Sequence, residues 1–263
     1  MRRILKISAI AFLGLGPALG VQPDAGAGAG AATDAETDAE TEAVGAWLRQ
    51  LTLKGAARQN EMLRQGSTRN EASYVVQSIA DLDAPAAVKA RFQRQAAAHN
   101  AGVKRIAAGA IPSVASLLAQ TPDRVLPDAV LRERLPVRPA RTDGTPLVHA
   151  RLINTNWSGT RMGINATGLS RIYLMEGVGI IEFTEDSYRQ GTGQIIQFEE
   201  ALNATVGTTP AMATMEQSAD GRGRADLSWV TPTMSYTLKL VTDNGAALEE
   251  AAVTLMQIAE GIR

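Results

Sequence analysis

The chain has no cysteine, only two histidines and few aromatic residues. The absence of cysteine excludes disulfide bonds, thiolate metal sites, a cysteine nucleophile and a lipidated N-terminal cysteine. With only His99 and His149 there is almost no scope for a multi-histidine metal site, and no cofactor is expected. Because aromatic residues make up 4% and hydrophobic residues 45% of the 263 residues, alanine and aliphatic side chains must form most of the core.

The chain also lacks a strong charge of either sign. Its formal net charge is -1, and from residue 43 onward 23 basic residues stand against 21 acidic ones. A nucleic-acid-binding domain usually carries a clear basic excess on one face. No nucleic-acid partner is therefore expected.

The first 20 residues have the pattern of a secretory signal peptide. Arg2, Arg3 and Lys6 form a basic start, 7–15 is an apolar run, and small residues precede a predicted cut before Val21. The apolar run is shorter than the roughly 20 residues that a membrane span needs, although an uncleaved N-terminal anchor is the alternative. The sequence predicts a periplasmic or secreted protein with no transmembrane segment after processing.

Residues 21–42 form a low-complexity segment. Alanine and glycine alternate up to residue 32, and an acidic repeat follows over 33–42. Such a segment has almost nothing to bury, so it is predicted to be a disordered linker. It is either a tether that holds the domain away from a surface or a solvated tail.

Residues 43–146 are predicted to be a helical region that ends in a strap. The helical pattern consists of an N-terminal run with Trp47 at its centre, a segment over Tyr74–Ile79, and a long helix from Asp83 to Ile106. One side of the long helix is basic, which suggests contact with anionic lipid as one alternative; these residues are Lys89, Arg91, Arg94, Lys104 and Arg105.

The strap covers Thr121 to Pro146 and contains five prolines, which make long regular structure unfavourable. There is room for one short helix over 128–134. Because this segment contains several arginines, it is the predicted binding site for an acidic partner, through Arg132, Arg134 and Arg138.

Residues 147–263 are predicted to form an antiparallel sheet followed by a closing helix, which gives the α+β class. The clearest strands are Ala225–Val230 and Ser235–Val241, in which apolar and polar residues alternate. Apolar positions at helical spacing then run from Leu248 to Ile262. The helices are expected to cover one face of this sheet.

The last sixty or so residues resemble a known group of small exported α+β domains. The resemblance rests on Pro210-Ala211, the turn at Asp220-Gly221, the strands through Trp229 and Tyr236, and the final helix ending near Glu260. The group is the PsbP/Mog1/DcrB-like domains of bacterial envelope proteins. This resemblance implies a twisted antiparallel sheet backed by helices and a non-enzymatic binding or accessory role.

Three residues are candidates for contact with a ligand. Trp157 stands in the polar segment 154–159, which is predicted to be a loop, and an aromatic ring there suits stacking on a sugar or peptide. Folding back onto the sheet is the structural alternative for this ring. Glu176 and Glu182 belong to a group of carboxylates that could act as an acid–base pair if they face a sugar.

The sequence contains no recognisable catalytic motif that would indicate an enzyme. The candidate serines lack a nucleophile-elbow context, and the paired glycines near residues 177 and 191 lack the spacing and lysine of a phosphate loop. The leading hypothesis is an exported, non-catalytic envelope protein that binds a protein partner or a small ligand. The alternatives are a carboxylate-based hydrolase acting on an envelope glycan and a peripheral membrane-surface protein.

Overall fold

The structure is a computed structural model that describes residues 10–12, 39, 41–54, 57, 73–162, 164–191 and 194–262. The rest of the predicted signal peptide lies outside the described residues, as does the predicted linker apart from residues 39, 41 and 42. The apolar positions Met62 and Leu63 of the predicted helical region also lie outside them.

The described residues contain eleven strands. In chain order they are β1 (Ile10–Phe12), β2 (Ser73–Gln77), β3 (Val103–Ile106), β4 (Arg151–Met162), β5 (Asn165–Met175), β6 (Gly179–Asp186), β7 (Gln194–Phe198), β8 (Ala204–Val206), β9 (Thr209–Ser218), β10 (Gly223–Val230) and β11 (Ser235–Thr242). Eight of them form the main sheet in the order β3-β9-β10-β11-β6-β5-β4, with β8 paired to β9. All its pairings are antiparallel except that of β3 with β9. The other three form a small parallel sheet in the order β1-β7-β2.

The helices are α1 (41–54), α2 (Ala86–Asn100), α3 (Val114–Gln120), α4 (Asp128–Arg134) and α5 (Leu248–Gly261). None of the described helices is both long and apolar enough to cross a membrane.

One face of the main sheet packs against α5, and we call it the α5 face. Along the strands every second residue points to it, so that Tyr173, Phe183, Leu238 and Leu227 lie in one buried cluster. Leu255 is one of several residues of α5 that fill the same cluster. The two predicted strands Ala225–Val230 and Ser235–Val241 are confirmed, because they lie within β10 and β11, which pair antiparallel over their whole length. The α+β class and the closing helix are confirmed as well.

The opposite face, which we call the α2 face, carries the alternate residues of the same strands. Its end nearest β9 is apolar, and Met212 packs there with Phe92 of α2 and Trp47 of α1. Helices therefore lie on both faces, and the expectation that they cover one face is wrong. The apolar residues of α1 and α2 are buried because they pack against the α2 face at its end nearest β9.

Two parts of the predicted helical region are strands. The segment predicted as helix from Tyr74 is β2, which pairs in parallel with β7. The long helix ends at Asn100, and Gly102, with a φ of 91°, leads into β3. Lys104 therefore lies on a strand rather than on the basic side of α2. Short apolar segments are compatible with a helix or with a strand. Here pairing of β2 with β7 and of β3 with β9 makes both segments strands.

The predicted polar loop over 154–159 is also wrong, because these residues lie inside β4. This strand pairs with β5 along its length, with irregularities between Leu152 and Asn154 and between Ser158 and Arg161. Buried polar residues are compatible with this edge strand because the chain segment beside it satisfies them: Asn154 donates to the carbonyl of Pro122, and the hydroxyl of Thr155 accepts from the amide of Leu126.

Candidate ligand-binding cavity

The strap runs along the free edge of β4 before it crosses the sheet. The amide of Arg124 donates to the carbonyl of Ile153 at 3.0 Å, and the amide of Thr155 donates to the carbonyl of Arg124 at 2.9 Å. The amide of Leu126 donates to the hydroxyl of Thr155 at 2.6 Å. These hydrogen bonds satisfy edge groups of β4 and fix the start of the strap.

The far end of the strap is held on the α5 face by a buried ion pair. Arg171 of β5 and Glu185 of β6 approach to 2.7 Å between Nη2 and Oε1. The amide of Ala140 donates to Glu185 Oε2 at 2.8 Å, and its carbonyl accepts from Arg171 Nη1 at 2.9 Å. The pair therefore satisfies both backbone groups of one strap residue.

This ion pair is deeply buried, with side chains that are 10% and 3% exposed for Arg171 and Glu185. The guanidinium carbon of Arg171 also lies 4.8 Å from the ring centroid of Phe183. Burial raises the pKa of Glu185, while Arg171 and the amide of Ala140 act in the opposite direction. We name the unit of Arg171, Glu185 and Ala140 the strap clamp.

A cavity of about 530 Å³ lies between the strap and the strands β4 and β5. Its volume is within the range of about 300–1,000 Å³ that is usual for small-molecule sites. Much of its wall is aliphatic or aromatic, formed by Val125, Leu126, Leu131, Leu152, Leu169 and Tyr173.

The charged side chains in the cavity wall are four arginines and two aspartates: Arg132, Arg138, Arg141, Arg171, Asp128 and Asp143. Arg141 pairs with Asp143, and Arg171 pairs with Glu185. Neither Arg132 nor Arg138 forms an ion pair within the described part of the chain. The unpaired charges are thus two arginines against Asp128, an excess of one positive charge.

The structure brings together two of the three arginines predicted to bind a partner. Arg132 and Arg138 both line the cavity and are exposed. Arg134 does not line it; this side chain is half-buried, and its Nε has no hydrogen-bond partner in the described residues.

Trp157 lies beside the cavity, on the strand β4 rather than in the predicted loop. It pairs with Leu169, a residue of the cavity wall, so its side chain is on the α5 face. It stands two residues beyond Thr155, also in the wall, which is about 7 Å along the strand. The half-buried ring is therefore beside the cavity but not part of its lining.

The two predicted carboxylates are elsewhere. Glu176 is exposed in the turn between β5 and β6. Glu182 is on the α2 face, opposite Ile172 and Lys239 on the neighbouring strands, and accepts a 2.7 Å hydrogen bond from the hydroxyl of Ser170. Neither lines the cavity, so they do not form a carboxylate pair in this site.

The strap clamp is not among the residues predicted from the sequence. A signal for it was present, because Arg171 interrupts the apolar series of Leu169 and Tyr173, and Glu185 continues that of Ile181 and Phe183. Opposite charges at apolar-face positions of two neighbouring strands indicate a buried pair. Within the described residues no group of three or more histidine or acidic side chains could hold a metal ion.

Known proteins show little similarity to this chain. No family model matches the sequence, and no curated protein matches it. A crystal structure of a GTP binding regulator from Thermotoga maritima is similar over 43% of this chain and 79% of that chain, at 12% identity. Its TM-score is 0.21, so this likeness carries no argument about fold or function.

Proposed function

We propose that this protein is an exported, non-catalytic binding protein that holds a small ligand in the cavity between the strap and the main sheet. The single observation that carries the proposal is the cavity itself: its volume and a wall that combines aliphatic and aromatic side chains with charged groups are typical of a small-molecule site. The signal-peptide pattern and the absence of a catalytic motif in the sequence support export and a binding role.

The way the strap is fixed also favours a ligand site. One side of the cavity is held by the hydrogen bonds of Arg124 and Leu126 to β4, and the other by the strap clamp at Ala140. Because both ends are anchored, the cavity is already formed in the protein alone, and less conformational entropy is lost on binding.

A blocked cavity tests the proposal. Val125 lines the cavity and is 47% exposed, so Val125→Trp places a large ring at its mouth without disturbing the core. We expect this substitution to weaken the binding of phenylnaphthylamine, a neutral apolar dye, by at least about tenfold, equal to about 1.4 kcal/mol. The measurement is a fluorescence titration of the folded protein.

Val148→Trp is the matched control. Val148 is 58% exposed and does not line the cavity, so this variant adds the same ring at a different surface. Equal dye affinity in both variants and the unmodified chain would place the binding site elsewhere and contradict the proposal.

The hydrolase alternative has no geometric support in the described residues, since Glu176 and Glu182 lie outside the cavity. A partner protein that binds through Arg132 and Arg138 remains the second candidate, because both arginines are exposed. In-cell crosslinking distinguishes the two: a single dominant partner that is lost when both arginines are changed to glutamine would favour the protein partner.

A further inference from the structure

We infer that the ligand of this cavity is a free monocarboxylate with an apolar body, bound with its carboxylate at Arg132 and Arg138. The inference rests on the proposed function, because it names the ligand class for the same site. It follows from the charge balance and the apolar composition of the wall.

The net charge of the cavity wall indicates that the ligand carries a single negative charge. After Arg141 has paired with Asp143 and Arg171 with Glu185, the wall has one positive charge in excess. A ligand with a single negative charge neutralises this excess, whereas a dianion overcompensates it. A cation would face two unpaired arginines.

The chemistry of arginine favours a carboxylate. A guanidinium presents parallel N–H groups that match the two oxygens of a carboxylate. Arg132 uses its Nε only for a long 3.4 Å contact with the carbonyl of Asp128. The terminal N–H groups of Arg132 and Arg138 make no hydrogen bond or ion pair within the described residues, so both can donate to a ligand.

The remaining wall requires an apolar body. Leu131, Leu169 and Tyr173 are buried residues that contribute to the wall, and Leu152 and Leu126 are half-buried in it. A free phosphate or acetate would leave this apolar surface without a partner. A chain or ring attached to the carboxylate covers it and gains from leaving water.

The test uses three probes that share one chain and differ in charge: octanoate, octanol and octylammonium. Each is titrated into the full protein, and backbone-amide NMR signals of cavity residues such as Arg138, Thr155 and Leu169 are followed. We expect octanoate to bind at least tenfold tighter than octanol and octylammonium not to bind there. In the series butanoate, hexanoate and octanoate, each added methylene should tighten binding by up to about fourfold.

Two variants test the roles of the arginines. Arg132→Gln and Arg138→Gln are each expected to weaken octanoate binding by about tenfold, because each removes a charge-assisted hydrogen bond. Octanol binding should stay unchanged in both. The control is Arg49→Gln, at an exposed arginine of α1 that does not line the cavity.

The outcomes separate the inference from the function on which it depends. Equal binding of octanoate and octanol at the cavity signals, unaffected by either arginine variant, would overturn the carboxylate specificity and leave the cavity function standing. Tighter binding of octylammonium would overturn the inference in the same way. Absence of any response to all three probes and to the neutral dye would overturn the cavity function itself.

Discussion

Arg171 and Glu185 lie on neighbouring strands but are not directly opposite each other. Arg171 is opposite Phe183, and Glu185 is opposite Leu169, so the two charges meet along the diagonal of the β5–β6 pair. Long side chains can bridge this diagonal separation. The arrangement brings both charges beneath Ala140, and it is what holds the end of the strap on the α5 face.

Removal of one partner of this pair should be costly. Arg171→Met leaves the Glu185 carboxylate buried without its counter-charge, so we expect a loss of about 3–5 kcal/mol in the free energy of unfolding. The measurement is urea-induced unfolding at neutral pH.

The double variant Arg171→Met with Glu185→Leu separates the cost of an unpaired buried charge from the cost of losing the hydrogen bonds to Ala140. Because no buried charge remains, it should recover a large part of that loss. It should still be less stable than the unmodified chain, since the amide and the carbonyl of Ala140 lose their hydrogen-bond partners. A double variant as unstable as the sum of both single variants would contradict an interaction between the two charges.

A methyl group at Gly168 should disturb the same strand pair. A Cβ there would lie 3.0 Å from Asp186 Cα and closer still to the carbonyl oxygen of Glu185. Gly168→Ala should therefore cost about 1–3 kcal/mol through overpacking. Thermal unfolding measures this, with Gly144→Ala as control, because a Cβ at Gly144 meets only the carbonyl oxygen of Gly261 at 3.9 Å. Equal stability of the two variants would show that β5 can shift away from β6.

Asp226 should make stability depend on pH. Burial raises its pKa, with Arg224 and Lys239 acting in the opposite direction, and its Oδ1 has no hydrogen-bond partner in the described residues. Between the pKa of the unfolded chain and the raised pKa of the folded protein, the folded state binds more protons. The contribution of Asp226 to stability therefore falls as pH rises through this window.

The variant Asp226→Asn cannot titrate at this position. We expect its stability relative to the unmodified chain to increase with pH from about 4, near the usual aspartate pKa, and to level off above the raised pKa. Unfolding free energies measured from pH 3.5 to 8 check this (a range set by the usual carboxylate pKa values). A relative stability that falls over the same range would show that the carboxylate is net favourable in its ionised form.

The predicted signal peptide has a direct test. Mass spectrometry of the protein isolated from its host should give a chain that begins at Val21 and therefore lacks β1, which in the structure pairs with one edge of β7. Leu13→Arg, which places a charge in the apolar run, should prevent both cleavage and export. Recovery of the full chain with Met1 from the soluble envelope fraction would contradict the predicted cut.

Local patterns are sufficient for the elements whose partners are near in sequence. The strands β10 and β11 alternate with period two and are joined by a short loop at Pro232, so their pairing could be predicted. The helix α5 has an apolar stripe long enough to be unambiguous, and Leu255 and Ile258 on it are buried.

The candidate site could be predicted only in part. The sequence predicted Arg132, Arg134 and Arg138 as contacts for an acidic partner, and two of the three, Arg132 and Arg138, line the cavity. It did not predict the cavity, which requires the strap to return over β5, nor the distribution of the carboxylates between two faces. A shift of one residue in strand register would move Glu182 to the opposite face.

The sequence by itself determined the α+β class, the period of each clear strand and the apolar face of α5, because these depend on side-chain spacing along one element. Only the tertiary structure decided that Tyr74 and Lys104 lie on strands, that Trp157 lies inside β4, and that Arg171 meets Glu185 under Ala140. The first two outcomes depend on pairing with the distant strands β7 and β9. The position of Trp157 and the contact of Arg171 with Glu185 depend on how neighbouring strands pair and on the strap that returns over them.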